Sequence, residues 1–195
     1  MRANELLTER VLNLFKTEHQ LQYADEVWAM LQKAYEKVGG FHSADSIEDL
    51  LNKTHLWKLV KRGNKITAAS LYKDHYGRKT IASCTDGTPE GKRDYNMIKD
   101  ADVKLGRAWC EVSGAPEHIM KKAGLRPLPA KFASMLTGKH IDEYNEDGYH
   151  YTRTIHGHPH EKAIYGSVKV TPEMALLLAQ HNIDLRELPE HFTKT

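Results

Sequence analysis

Cysteine is scarce in this 195-residue chain, which holds only Cys84 and Cys110, each inside an apolar stretch. A disulfide-stapled secreted domain is therefore excluded, and buried free thiols in a cytoplasm are expected. Long apolar runs are missing as well. The longest clear one, Met174 to Ala179, falls far short of the ~20 residues a membrane helix needs, so no membrane partner is expected. The start, Met1-Arg-Ala-Asn-Glu-Leu-Leu, lacks the apolar centre of a secretory signal. Neither sign of charge prevails: 28 Lys+Arg against 26 Asp+Glu give +2. That balance argues against nucleic-acid binding by bulk charge while leaving a local contact open. What remains, 40% hydrophobic and 28% charged residues with 13 Gly and 7 Pro, is globular composition; disorder and collagen-like repeats are ruled out.

Periodicity divides the chain. Leu6, Leu7, Val11, Leu12 and Phe15 stand at helical spacing and predict an amphipathic helix over 4–16. A second helix over 24–38 carries Val27, Trp28, Met30, Leu31 and Tyr35 and stops at Gly39-Gly40. Ser43 or Ser46 then caps a short helix with Ile47, Leu50 and Leu51 inward. The period next changes to that of strands over 56–62, 66–73 and 79–84, joined by tight turns at 62–65 and 74–78: an antiparallel meander. A helix over 93–104 follows, then a strand over 107–112. Ser113 and Pro116 open another helix ending at Gly124, and a last strand covers 148–155. From Val168 the chain is helical again, opened by Thr171-Pro172-Glu173.

Between the meander and its helix lies Thr85-Asp-Gly-Thr-Pro-Glu-Gly-Lys-Arg93. A glycine-bearing loop feeding a helix N-terminus can expose backbone amides to an anion, aided by the helix dipole. Gly87 and Gly91 would let the backbone approach a ligand, with Thr88, Lys92 and Arg93 as further donors. The spacing is not that of a nucleotide P-loop, and an ordinary solvated turn stays open as the alternative.

The element order, with Thr85-Asp-Gly-Thr-x-x-Gly-Lys92 and the stretch Ala115 to Pro127, resembles the GNAT family of acyl-CoA-dependent N-acyltransferases, in its diverged, phage-type members. The resemblance spans about 22–155. It implies an α+β fold, a mixed and mainly antiparallel central sheet flanked by helices, with extra helices at both ends. It divides the chain into an N-terminal helical extension (1–21), an acyltransferase domain (22–160) and a C-terminal helical appendage (161–195). The implied co-substrate is acetyl-CoA or another acyl-CoA, held by Cys84, Thr85, Gly87, Thr88, Gly91, Lys92 and Arg93. The implied acceptor is a primary amine, and the compartment is the cytoplasm, the host's if the chain is phage-encoded. Glu111 is then the candidate base, Tyr151 a candidate acid, and Ser113 a donor to the thioester oxygen or simply a helix cap.

Twelve histidines invite a metal reading, above all His156-Gly-His158-Pro-His160 with His150 nearby. No Cys or acidic partner completes a ligand set, so a solvated loop is expected there and no metal. Two other functions compete with acyl transfer. One is a GNAT-shaped binding or virion-associated protein without turnover, docking a protein through its terminal helices. The other is a metal-dependent nucleobase-modifying relative.

Overall fold

A computed structural model describes residues 9–74, 78–105, 107–112, 121, 125–128, 133–135, 150–155, 158–168, 172–184 and 186. The chain divides into two compact units, 1–73 with 80–98, and 74–79 with 99–195.

Among the described residues, with 4–8 outside them, the first element of this unit is a strand, β1 (Glu9–Leu14), where a helix over 4–16 was expected. Its register on β2 (Leu56–Arg62) is antiparallel, Glu9 opposite Arg62 through Leu14 opposite Trp57. Leu12 and Leu14 pack against the core while Val11 and Asn13 are exposed, an alternation with a period of two that only the pairing reveals. Helix α1 (Thr17–Leu21) follows, tied back by Gln20 Nε2 donating to the Leu14 carbonyl at 3.0 Å. Helix α2 (Ala24–Tyr35) buries Ala24, Val27 and Leu31, and Gly39 beyond it takes the left-handed φ of +91° that ends the run. The expected cap of α3 (Ile47–Lys53) is Ser46, whose Oγ accepts from the Asp49 amide at 3.1 Å. The first hairpin of the expected meander is present, β2 pairing antiparallel with β3 (Lys65–Asp74); β4 (Arg78–Thr85) comes next in the order, and 75–77, within the second expected turn, lie outside the described residues. Gly63 supplies the positive φ of +59° that a two-residue turn asks of its first position. Trp57, Leu59, Ile66, Ala69 and Leu71 form one sheet face of the core, against Val27, Leu31 and Leu50. Trp57 Nε1 donates to Thr54 Oγ1, which itself donates to the Leu50 carbonyl, both at 2.7 Å.

Helix α4 (Pro89–Leu105) starts four residues earlier than its periodicity predicts. Gly91, Asp94, Tyr95 and Ile98 make one buried stripe at helical spacing.

The second unit is organised on one strand. β5 (Arg107–Val112), β6 (Arg126–Pro127) and β7 (His150–Ile155) each pair antiparallel with β8 (His158–Val168). The expected loop around His158 and His160 is therefore strand, and this strand crosses residue 160, where the helical appendage was expected to begin; 156–157 lie outside the described residues. Gly166 sits in close packing, since a Cβ there would stand 3.1 Å from both Trp109 Cβ and Leu128 Cδ1. Helix α5 (Pro172–Gln180) agrees with expectation and closes on Asn182 at φ +55°, with Leu178 and Ile183 buried. The mixed, mainly antiparallel α+β class is as expected. No helix of the described residues is long and apolar enough to cross a membrane.

Candidate functional site

The sequence places an anion site where β4 hands the chain to α4, and the structure resolves what the loop does with its own polar groups. Thr88 is the N-cap: its Oγ1 accepts from the Gly91 amide at 3.0 Å and its carbonyl from the Lys92 amide at 3.0 Å. Pro89, with no amide to satisfy, occupies the first helical position. The Gly87 amide donates to Thr85 Oγ1 at 3.2 Å, and the Thr88 amide to Asp86 Oδ1 at 2.9 Å. The expectation that the Gly87 and Gly91 amides point outward without partners is thus corrected. Side chains of the loop's own Thr85 and Thr88 accept both, because a short polar residue two or three positions away competes for such donors at no cost in chain length.

Gly91 is also not a point of ligand approach. A Cβ there would overlap Asp86 Oδ1 and lie 2.6 Å from the Thr67 carbonyl, so glycine serves the close passage of α4 over β3. Gly87, at φ +86° with open space around it, is there for its backbone conformation. Cys84 lies in the core at 4% exposure, and burial pushes its thiol up to about 12. Among the expected contacts, Lys92 and Arg93 are exposed, Arg93 with its guanidinium 2.8 Å from Glu90 Oε1.

Two carboxylates that the sequence reading did not single out organise this region. Asp94 receives Arg62 in a fork, Nε to Oδ2 at 2.8 Å and the terminal nitrogen to Oδ1 at 2.6 Å, and Thr67 Oγ1 donates to Oδ2 at 2.5 Å. The Arg62 hydrogen bonds hold its carboxyl below the ordinary range against the opposing effect of burial. Asp86 receives Lys65 Nζ on Oδ2 at 2.8 Å and Thr88 Oγ1 on Oδ1 at 2.6 Å. Burial acts to raise the Asp86 carboxyl, and the bonds from Lys65 and Thr88 outweigh it, leaving the group lowered. The Asp-Gly-Thr sequence carries the signal for Asp86, as aspartate commonly accepts from the amide two residues on.

The catalytic candidates belong to the second unit. Glu111 stands opposite Ile164 on one side of β8, and Tyr151 opposite Lys162 on the other. Ile164 and Lys162 are two positions apart, so the register puts Glu111 and Tyr151 on one face of the sheet. Their side chains, and Ser113 altogether, lie outside the described residues. Cys110 is buried beside Trp109. Among the described residues no three His, Cys, Asp or Glu come together as a metal group.

No family model matches the sequence, and no curated protein is found to be related to it. Solved structures do match. The ribosomal-protein-S18-alanine N-acetyltransferase from Escherichia coli is similar with a TM-score of 0.50 at 11% identity, over 85% of this chain and 97% of that one. The fold is GNAT-like. An acetyltransferase from Bacillus subtilis in complex with CoA matches with a TM-score of 0.47 at 13% identity, over 81% of this chain and 97% of that one. The N-acetylglutamate synthase from Neisseria gonorrhoeae, complexed with coenzyme A and N-acetyl-glutamate, matches at 0.47 and 12% over 82% of this chain, which corresponds to 36% of that protein. At these identities the likeness to GNAT proteins concerns the path of the backbone.

Proposed function

We propose that the chain is an acyl-CoA-dependent N-acyltransferase, of the acetyltransferase type, acting on a primary amine by direct attack. The observation that carries the reading is a GNAT-like fold in which β4 passes through a short loop into the N-terminus of a 17-residue helix. That helix end supplies partial positive charge, and Lys92 and Arg93 in its first turns supply full charges. These features suit a diphosphate; the partnered amides of Gly87 and Gly91 do not.

Acyl-CoA would bring the acyl group already activated as a thioester. In this reading Glu111 takes a proton from the incoming ammonium, directly or through an ordered water, and so frees the nitrogen lone pair. Tyr151 gives its phenolic proton to the departing thiolate, and Ser113 donates to the carbonyl oxygen. The amine nitrogen gains the acyl carbon and the carbon–sulfur bond breaks; of the two protons the ammonium loses, one goes to Glu111 and the second restores the Tyr151 phenol after its proton has gone to the thiolate, so that one proton is released overall, from Glu111 to solvent. Two buried cysteines in a chain this size suit a reducing compartment, so we place the activity in the cytoplasm, the host's if the chain comes from a phage.

A second reading, a GNAT-shaped binding protein without turnover, draws support from the internal capping of the loop amides. Calorimetric titration of acetyl-CoA into the protein and into a Lys92→Ala/Arg93→Ala variant separates the two. Acyl transfer predicts micromolar binding that the double substitution weakens roughly tenfold or more, the worth of lost charge-assisted bonds to phosphate. Absence of binding at millimolar acetyl-CoA would leave the binding-protein reading in possession.

A further inference from the structure

We infer that β1 is a self-pairing edge: two copies of the chain join their β1 strands antiparallel through Val11 to Phe15, about a two-fold axis at Asn13. The inference stands apart from the acyl-transfer reading, and its failure leaves that reading untouched.

Among the described residues β1 pairs with β2 alone, so its other edge is open. Edge strands are commonly guarded by a charge, a proline or a bulge. From Val11 to Leu14 there is neither charge nor proline, and the register on β2 runs without a shift. Apolar side chains stand on both faces instead. Leu12 and Leu14 turn to the core, and Val11 stands on the opposite face, where Phe15 continues the exposed alternate row. Val11 is 43% exposed, Phe15 61%, and Leu21 at the end of α1 56%. The other large hydrophobic residues exposed among the described ones, Met97 and Leu176, stand apart on two helices. Apolar side chains and unpaired strand backbone are thus open at the same place, which is the surface a further strand covers.

The order of residues in β1 selects a second copy of itself as that strand. Directly opposed residues of an antiparallel pair share a face. With the axis at Asn13, Val11 of one copy opposes Phe15 of the other, Leu12 opposes Leu14, and the two Asn13 amides, each able to donate and accept, meet. Moving the axis to Leu12 opposes Arg10 with Leu14, and moving it to Leu14 opposes Leu12 with Lys16. Charge agrees with the middle choice. Each end of the pairing brings Glu9 and Arg10 of one copy beside Lys16 and Glu18 of the other, equal numbers of both signs. Because both copies use the same edge, the assembly closes at two.

The test is sedimentation velocity on the full chain. One strand pair is a small interface, so a dimer with a dissociation constant on the order of 10 µM is expected. Val11→Lys and Phe15→Glu, both at exposed positions, should each weaken it roughly tenfold or more, since every change enters the dimer twice. The double variant Val11→Lys/Phe15→Glu sets an ammonium opposite a carboxylate at both places and should dimerise more tightly than either single variant. Leu176→Lys, at an exposed apolar position on α5, is the control and should change nothing. Should Val11→Lys fail to fold by circular dichroism, Phe15→Glu is read by the same criterion. A monomer at every concentration leaves the edge to residues 1–8 or to another protein and overturns the inference. So does a dimer that neither single substitution weakens, a dimer that Leu176→Lys weakens as much, a double variant no tighter than the singles, or a species larger than a dimer.

Discussion

Asp94 and Asp86 sit eight residues apart at either end of the same stretch, each held by one cation and one threonine, yet the two cations hold them in different ways. Asp94 is gripped by a planar fork: Arg62 spans both oxygens, and only 29% of its side chain is exposed. Asp86 is held by a single ammonium whose side chain is mostly in water. A bidentate guanidinium fixes distance and orientation together, whereas an ammonium on a flexible stem fixes neither. One contact ties α4 to β2 and β3 through a rigid fork, and the other rests on a solvated, flexible stem. A buried carboxylate is thus not by itself a sign of rigidity; the solvation of its partner decides.

Breaking the forked contact should cost the most. Asp94→Asn is expected to lose about 3 kcal/mol in urea unfolding, because it leaves a partly buried guanidinium without its counter-charge. The same variant should change the acid limb. The Asp94 carboxyl is depressed on folding, so its stabilisation is complete above the unfolded value of about 4 and disappears as pH falls through the lower folded value. Unfolding midpoints followed from pH 5 down to 2 should therefore fall less steeply in Asp94→Asn than in the unmodified protein.

Gly91→Ala is expected to come second. Alanine favours a helix over glycine by about 1 kcal/mol, but here its methyl would stand 2.6 Å from the Thr67 carbonyl, which is backbone and cannot turn aside. Overpacking of this kind costs about 1–3 kcal/mol, so a net loss of about 1 kcal/mol is expected in thermal melts. A net gain would show that α4 can lift from β3 freely. Lys65→Met should matter least, within about 1 kcal/mol, since water can replace an exposed ammonium. A loss as large as that of Asp94→Asn would erase the distinction between the two contacts.

The parts of the fold legible in the sequence were those written in local chemistry. The Arg62-Gly63-Asn64-Lys65 turn announced the β2–β3 hairpin, Ser46 announced its helix, and Gly39 the end of another. The parts that were not legible depend on distant partners. Residues 9–14 satisfy a helical stripe as well as a strand, and only pairing with β2, more than forty positions on, decides between them. β8 runs through Pro159 and Gly166, residue types uncommon inside strands, and the place of Gly166 becomes plain only where it meets Trp109 and Leu128. At the candidate site the sequence ordered strand, loop and helix correctly, but began the helix at 93 where it starts at 89. It misjudged the amides because Thr85 and Thr88, read as donors to a ligand, turn inward as acceptors. Asp94 was overlooked because an acid within a charged helix looks like surface, and its Arg62 lies 32 positions back.

β8 carries one more consequence, for the order of events on the ribosome. Residues 107–112 emerge about fifty positions ahead of the strand that receives them, and 150–155 only just before it. A nascent chain halted before position 158 would hold the outer strands of the second unit and lack the one they share. Their edges toward β8 would stay open to any passing extended segment until that strand is made, an exposure that lasts as long as the pause.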